Sequence, residues 1–334
     1  MRAAIVGCGS IARVHAACVN KMEGHELVAF ADCKLERAEE FANQYGGSAY
    51  ASLESMLSKE CIDILHICTP HYLHTPMALE ALNHKVHVFM EKPPVINDKQ
   101  FEQLKKASSM RYLGFCFQNR YNPSIIKVKH MLELGVPGKI LGIRGIVTWN
   151  RAENYYSTSD WRGKLALEGG GVLINQSIHT LDLINYLMDQ KPLSIDAMMT
   201  NHHLKGKIEV EDTMSAYIRY QDAIACFYAT SSYIEDSKPI IELTCENMRI
   251  RIEEHELSFY YKNGRVEHMS MEQKTNIGKS CWGTAHGDCI LDFYNAILGN
   301  HRFPQDLNGM EDTIRLMLGA YESGRSRKVV VFNH

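Results

Sequence analysis

The sequence predicts an α/β protein: an N-terminal doubly wound parallel sheet, then a second domain on a mainly antiparallel sheet. Three observations predict it. Over the first hundred-odd residues, short apolar runs alternate with helical stretches, the rhythm of βαβ units. A glycine-rich turn follows the first of those runs and opens a helix. After about Asn119, several strands with alternating apolar residues follow one another, as in antiparallel sheets. The expected domains are therefore residues 1–119 and 120–334.

In the first domain AAIVG, LVAFA, IDILHIC, VHVFM and YLGFCF read as strands. Their near-continuous apolar character is that of strands covered on both faces. The helices between them are IARVHAACVNKM, KLERAEEFANQY, LESMLS, HTPMALEALNH and NDKQFEQLKKAS. In the second domain a helix near Pro123–Leu134 leads to a strand around Lys139–Trp149, a polar and aromatic loop, and a long helix at about Val172–Met188. TMSAYIRY, AIACFYATSSY, PIIELTC and MRIRIEE read as further strands, and Lys262 to Lys279 as a mobile loop. Two helices and a last strand, RKVVVF, close the chain.

At 334 residues two domains can each bury a core. The formal net charge of −3 argues against a nucleic-acid face or a membrane-surface patch. No apolar run is long enough to span a bilayer, and the apolar N-terminal run reads into the glycine turn instead of a signal peptide. The ten cysteines fall singly, with no C-x-x-C pair. They read as buried thiols of a cytoplasmic protein, not as a disulfide framework or metal site.

The turn GCGSIA has the form G-x-G-x-x-A. Gly7 permits the tight turn, Gly9 lets a pyrophosphate approach, and Ala12 lets helix and strand pack closely. The N–H groups of Ser10, Ile11 and Ala12 then face the phosphates at a positive helix end. About twenty residues on, LVAFAD ends in Asp32, the spacing of a carboxylate that binds the ribose 2′-OH of NAD. Lys34 and Arg37 lie near enough in sequence to leave NADP possible.

VFMEKPP, Val88 to Pro94, ends a buried strand with an acid, a base and two prolines; proline cannot continue the ladder. In the second domain EGGGVLINQSIHTLDLINYLMD places Asn175, His179, Asp182 and Tyr186 at steps of four, three and four, on one face of a largely apolar helix. A polar stripe on a buried helix must meet water, a ligand or a hydrogen-bond partner. Just upstream, NYYSTSDWRG brings aromatics and an arginine, which suit the C–H face of a sugar and its hydroxyls or phosphate.

Thr69 to Pro94, TPHYLHTPMALEALNHKVHVFMEKPP, resembles the Gfo/Idh/MocA oxidoreductases, relatives of glucose–fructose oxidoreductase and inositol dehydrogenase. The glycine turn, FQNRYNP, EGGGVLINQSIHTLD and the late EDT and YES stretches also fit. The resemblance implies a Rossmann domain and a C-terminal α/β domain whose large open sheet takes substrate on one face and often a partner subunit on the other. It implies that Lys92 is a catalytic or substrate-orienting lysine, with Glu91 fixing local geometry. Thr69, Pro70, His71 and His74 would line the cofactor. His179 and Asn175 would join the chemistry, and Arg120, Tyr121, Trp161 and Arg162 would meet substrate. Asn175 stands where the family commonly has Asp, and Ser177 where Gly is usual. That removes one carboxylate from the proton path and leaves Asp182 as an orienting candidate for His179. His71 and His74 have a spacing that tempts a metal reading, but no third ligand stands out, and no metal is expected.

The expected function is hydride transfer between NAD, or NADP, and a secondary hydroxyl or ketone of a sugar, cyclitol or glycoside. The alternatives are redox-neutral elimination or epimerisation, and a non-catalytic dinucleotide-binding regulator. A homo-oligomer, dimer or tetramer, is expected through the C-terminal sheet.

Overall fold

The computed structural model describes residues 1–107, 111–272 and 285–333. The chain forms two units, Met1–Gln118 with Lys274–Met310, and Asn119–Gln273 with Glu311–His334.

In the first unit the apolar runs form β1 (Arg2–Val6), β2 (Glu26–Ala31), β3 (Ser48–Tyr50), β4 (Ile64–Ile67), β5 (His87–Met90) and β6 (Leu113–Phe115). Their order is β3-β2-β1-β4-β5-β6, every pairing parallel. The helices α1 (Ser10–Val19), α2 (Leu35–Tyr45), α3 (Leu53–Lys59), α4 (His71–Asn83) and α5 (Asp98–Ala107) alternate with them. β3 was not expected: it has three residues, none of them buried, so it carries no apolar signal.

The second unit contains α6 (Pro123–Glu133), β7 (Ile140–Thr148), α7 (Glu153–Ser157), α8 (Leu165–Glu168) and α9 (Ile178–Met188). A π-helical turn, Val172–Ser177, leads into α9. The strands β8 (Ser194–Thr200), β9 (Thr213–Arg219), β10 (Ile224–Thr230), β11 (Ile240–Cys245), β12 (Met248–Glu253), β13 (Glu256–Tyr261) and β14 (Val266–Ser270) follow. With the terminal β15 (Val330–Val331) they make a nine-stranded sheet, β14-β13-β12-β11-β7-β10-β9-β8-β15. Only β7 and β10 pair in parallel. α9 lies against β7 at Gly145, where a Cβ would come within 2.7 Å of Ile184 and Thr180. Along β9, buried Met214, Ala216 and Ile218 alternate with exposed Ser215, Tyr217 and Arg219, the pattern of a sheet packed on one face.

Two expectations are corrected. Part of the stretch expected to be a loop is the strand β14, paired with β13. Every residue of β14 is exposed, so it has no apolar alternation to read. Residues 273–279 of the expected loop lie outside the described residues. The second correction concerns α10 (His286–Ile297), which belongs to the first unit. Phe293 packs on Phe89 with ring centroids 5.1 Å apart, and a Cβ on Gly114 would lie 2.5 Å from the Phe293 ring. Phe115 and Phe117 donate their N–H groups to the backbone and side-chain oxygens of Gln305. The parallel sheet thus needs a segment far away in sequence to cover β5 and β6. The helix α11 (Leu307–Ser326) carries the chain back into the second unit.

Candidate active site

At the end of β1, Gly7 has φ +86, and a Cβ there would lie 2.8 Å from the Cys68 carbonyl and the Thr69 methyl. Only glycine fits. At Gly9 a Cβ would meet nothing within 4 Å, so the chain itself does not require glycine; the open space lies at the start of α1. The first-turn N–H groups of Ser10, Ile11 and Ala12 have no carbonyl partner within their helix. Asp32, 8% exposed, accepts the N–H of Cys8 (2.8 Å) and of Lys34 (2.9 Å). Its carboxylate is therefore pinned to the glycine turn. Thr69 Oγ1 is buried and has no hydrogen-bond partner, a cost that a ligand would relieve. Open space over Gly9, unspent helix N–H groups, a fixed carboxylate and an orphaned hydroxyl all suit a dinucleotide.

β5 ends at Met90 and is followed by Glu91, 7% exposed, and half-buried Lys92. Glu91 Oε1 lies 3.0 Å from His15 Nε2; His15 Nδ1 lies 2.9 Å from His66 Nδ1, and His66 Nε2 2.8 Å from Tyr294 Oη. Burial alone would raise the Glu91 pKa. The hydrogen bond and charge of His15, with His286 and Lys92, outweigh it and hold the carboxyl well below the usual range. The Cys116 thiol joins His15 and Glu91 with potential ligand atoms within 4.8 Å. Both nitrogens of His15 are engaged, however, and burial pushes the Cys116 thiol well up. The geometry is that of a hydrogen-bonded core, not of a cation site. His71 is 4% exposed at the start of α4. Both His74 nitrogens lie 2.8 Å from carbonyl oxygens, those of Pro93 and Thr69. His74 therefore staples the TPH loop to the EKPP loop and leaves no ring nitrogen for a cofactor.

In the second unit the three glycines are set by the chain's own packing. Gly169 is left-handed at the end of α8 (φ 87). A Cβ on Gly170 would strike the Tyr321 hydroxyl, and one on Gly171 the Glu211 carbonyl. Buried Glu211 accepts the N–H groups of Gly171 (2.8 Å) and Leu173 (3.1 Å) and the Tyr321 hydroxyl (2.9 Å). It caps the π turn.

Asn175 and His179 are half-buried, while Asp182 is 1% exposed. Asp182 accepts Arg120 Nε (2.8 Å) and Nη2, and the Thr313 hydroxyl (2.8 Å). The Arg120 guanidinium also lies 4.7 Å from the Tyr186 ring centroid. Arg120, expected to meet substrate, and Asp182, a candidate partner for His179, thus spend their charges on each other. Tyr121, Trp161 and Arg162 are half-buried. Arg162 stacks 4.6 Å over Tyr155, whose hydroxyl lies 3.4 Å from both Asn175 Nδ2 and Gln176 Nε2.

Glu168 was not singled out from the sequence. It is fully buried at the end of α8 and accepts the Gly163 N–H and the Asn175 amide, each at 2.5 Å. Burial pushes its carboxyl up to about 7, against the pull of the Gly163 and Asn175 hydrogen bonds. Tyr155 and Glu211 were missed as well. The one signal for Glu168 was an acid directly before three glycines, between apolar neighbours.

Residues 1–111 match the NAD-binding Rossmann fold of the oxidoreductase family, and residues 125–251 match the GFO/IDH/MocA C-terminal domain. The chain belongs to the Gfo/Idh/MocA oxidoreductase family. Its relatives include a D-glucoside 3-dehydrogenase of Escherichia coli, 32% identical over 56% of this chain, and a myo-inositol 2-dehydrogenase of Thermotoga maritima, 25% identical over 66%. The chain spans 54% and 65% of those relatives' own lengths. Among solved structures, the WlbA dehydrogenase from Bordetella pertussis, in complex with NADH and UDP-GlcNAcA, superposes with a TM-score of 0.86 over 100% of this chain and 99% of that one. At 24% identity this likeness concerns the fold. The first unit is the family's NAD-binding domain. No helix among the described residues is long and apolar enough to cross a membrane.

Proposed function

We propose that this chain transfers hydride between NAD, or NADP, and a secondary hydroxyl or ketone of a sugar, cyclitol or glycoside. The observation that carries the reading is Lys92, half-buried at the carboxyl end of a parallel strand in an NAD-binding domain. Ligands of open α/β sheets bind at such strand ends. The glycosidic and cyclitol substrates in the names of the two curated relatives support the substrate class.

When bound, the nicotinamide supplies the hydride acceptor. The remaining roles fall to this chain. Lys92, a permanent donor, gives a hydrogen bond to the substrate oxygen and stabilises charge that develops there. His179 takes the hydroxyl proton. Asn175 cannot take a proton and orients the hydroxyl or the imidazole. The ring of Trp161 and the N–H donors of Arg162 supply stacking and hydrogen bonding for a polyol.

Two further points belong to this proposal. The sheet face of the second unit that carries exposed Leu141, Met198, Tyr217, Ile224 and Tyr228 supports a homo-oligomer, dimer or tetramer, through that surface. Nine free cysteines among the described residues support a reducing, cytoplasmic setting.

A panel of sugars, glycosides and cyclitols incubated with NAD, followed by NADH absorbance, tests the function. Turnover of a secondary alcohol is expected. Product formation without net NADH would establish the redox-neutral alternative, and tight NAD binding without any turnover would establish a regulator.

A further inference from the structure

Asn175 stands on the π turn with its amide against a carboxylate that nothing in the proposed reaction uses. Glu168 is fully buried, with Oε2 on the Gly163 N–H and Oε1 on Asn175 Nδ2. An ionised carboxylate only accepts hydrogen bonds, whereas a protonated one can donate. An amide has a donor end and an acceptor end, so the state of Glu168 decides which end of Asn175 is turned away from it.

We propose that Glu168 is a positioning residue that sets the hydrogen-bond polarity of Asn175, and so decides whether that side chain offers an acceptor or a donor to the substrate. With Glu168 ionised, the NH2 group is held inward and Oδ1 faces outward, able to accept from an alcohol hydroxyl. When Glu168 takes a proton from water, it donates to Oδ1, the amide turns over, and NH2 faces outward, able to donate to a ketone. The inference deepens the oxidoreductase reading and rests on it for its kinetic consequence alone.

The surroundings let this carboxyl change state near neutral pH. Glu211 and burial favour the proton; the Gly163 and Asn175 hydrogen bonds and the Arg162 guanidinium oppose it, and the balance lies at about 7. Burial also pushes the neighbouring Glu211 carboxyl up, and it holds up the hydroxyls of the further neighbours Tyr155, Tyr156 and Tyr321, so none of these hydroxyls ionises in that range. The Arg151 guanidinium lies 5.5 Å from the Tyr155 ring centroid.

Infrared difference spectra of the intact protein between pH 6 and pH 8 read Glu168 without any substrate. A carbonyl band of a buried protonated carboxyl is expected to disappear as pH rises, and to be absent in Glu168→Gln. In that variant the single acceptor oxygen is best used on the Gly163 N–H, leaving the glutamine NH2 to face Asn175, as the protonated acid does. The KM for an alcohol found by the substrate panel should therefore be about five- to tenfold higher at pH 8, the scale of one hydrogen bond. At pH 6 it should approach the wild-type value, with kcat little changed. If the glutamine variant does not fold, Asn175→Asp carries the test. Two facing carboxyls share one proton, and the band should persist to higher pH. A band that does not titrate, or that survives in Glu168→Gln, overturns the proposal, as does an identical KM profile in wild type and variant. A titrating band in a protein that turns over no alcohol leaves Glu168 as assigned and removes the oxidoreductase reading instead.

Discussion

Glu91 and Glu168 are the same residue type, both buried, one in each unit, and they behave in opposite ways. Glu91 is held well below the usual carboxylate range, while Glu168 is pushed up to about 7. Both receive hydrogen bonds at both oxygens. The difference is charge. His15, His286 and Lys92 surround Glu91, whereas the hydrogen bonds to Glu168 come from a backbone amide and a side-chain amide, and the like charge of Glu211 acts on it more strongly than the Arg162 guanidinium. Neutral donors reduce the cost of burying a carboxylate, and a cationic partner can reverse its effect on pKa. One unit therefore keeps a fixed anion behind Lys92, and the other keeps a carboxyl that can change state.

Removing the partner of Glu91 should have the largest effect. His15→Ala leaves a buried carboxylate without its main counter-group, and a loss of about 3–5 kcal/mol is expected in chemical denaturation. A loss below about 1 kcal/mol would mean that Glu91 simply takes a proton, as Glu168 does, and the contrast would collapse.

Lys92→Ala tests the other side of the same anion. It should bind NADH normally and lose at least about a hundredfold in turnover, the usual scale for a group acting on proton transfer. Turnover near wild type would leave Lys92 as a counter-charge to Glu91 and nothing more.

Asp32 is a third carboxylate held by backbone N–H groups, and it faces cofactor choice instead of catalysis. NADH should bind at least about tenfold tighter than NADPH, because a carboxylate repels a 2′-phosphate. Asp32→Ser should narrow the gap. Equal affinities in the wild type would transfer the choice to Lys34 or Arg37.

The smallest effect concerns stability against pH, where the two units should have opposite slopes. In the first unit burial lowers the pKa of His66 and His286, the latter to about 4 from 6.5. Their contribution is complete above pH 6.5 and is lost as pH falls below it, since the unfolded chain then binds more protons. In the second unit Glu168 is raised from 4.5 to about 7. Between those values the folded state binds more protons, so its contribution falls as pH rises. Thermal midpoints at pH 5 and pH 7.5 should show Glu168→Gln gaining on wild type as pH rises, by at most roughly 1.4 kcal/mol per pH unit. A constant difference would place the Glu168 carboxyl back in the ordinary range.

The parallel order of the first sheet and the pinned positions of Gly7 and Asp32 were legible because local signals specify them. A strand, a glycine turn and a helix lie in sequence, and the acid follows at a fixed distance. Lys92 was legible for the same reason: two prolines next to it announce where the strand stops. β14 was not, since all its residues are exposed and pairing with β13 alone makes it a strand. Nor was the return of α10 to the first unit, which depends on Phe293 filling the space over Phe89 and Gly114.

The sequence by itself determined the class of fold, the family and the nucleotide-binding turn, and it proposed Lys92, Asn175 and His179 as site residues. All of these are read from neighbours in the chain. Tertiary structure alone decided the state and use of the buried charges. Arg120 and Asp182 are 62 residues apart and neutralise each other; Glu91 meets His15 across 76 residues. Glu168 is only seven residues from Asn175, yet its pKa depends on full burial and on Glu211, brought in from a distant strand end. Desolvation and Coulomb forces act through space and depend on which groups exclude water from one another, a property that no spacing along the chain records.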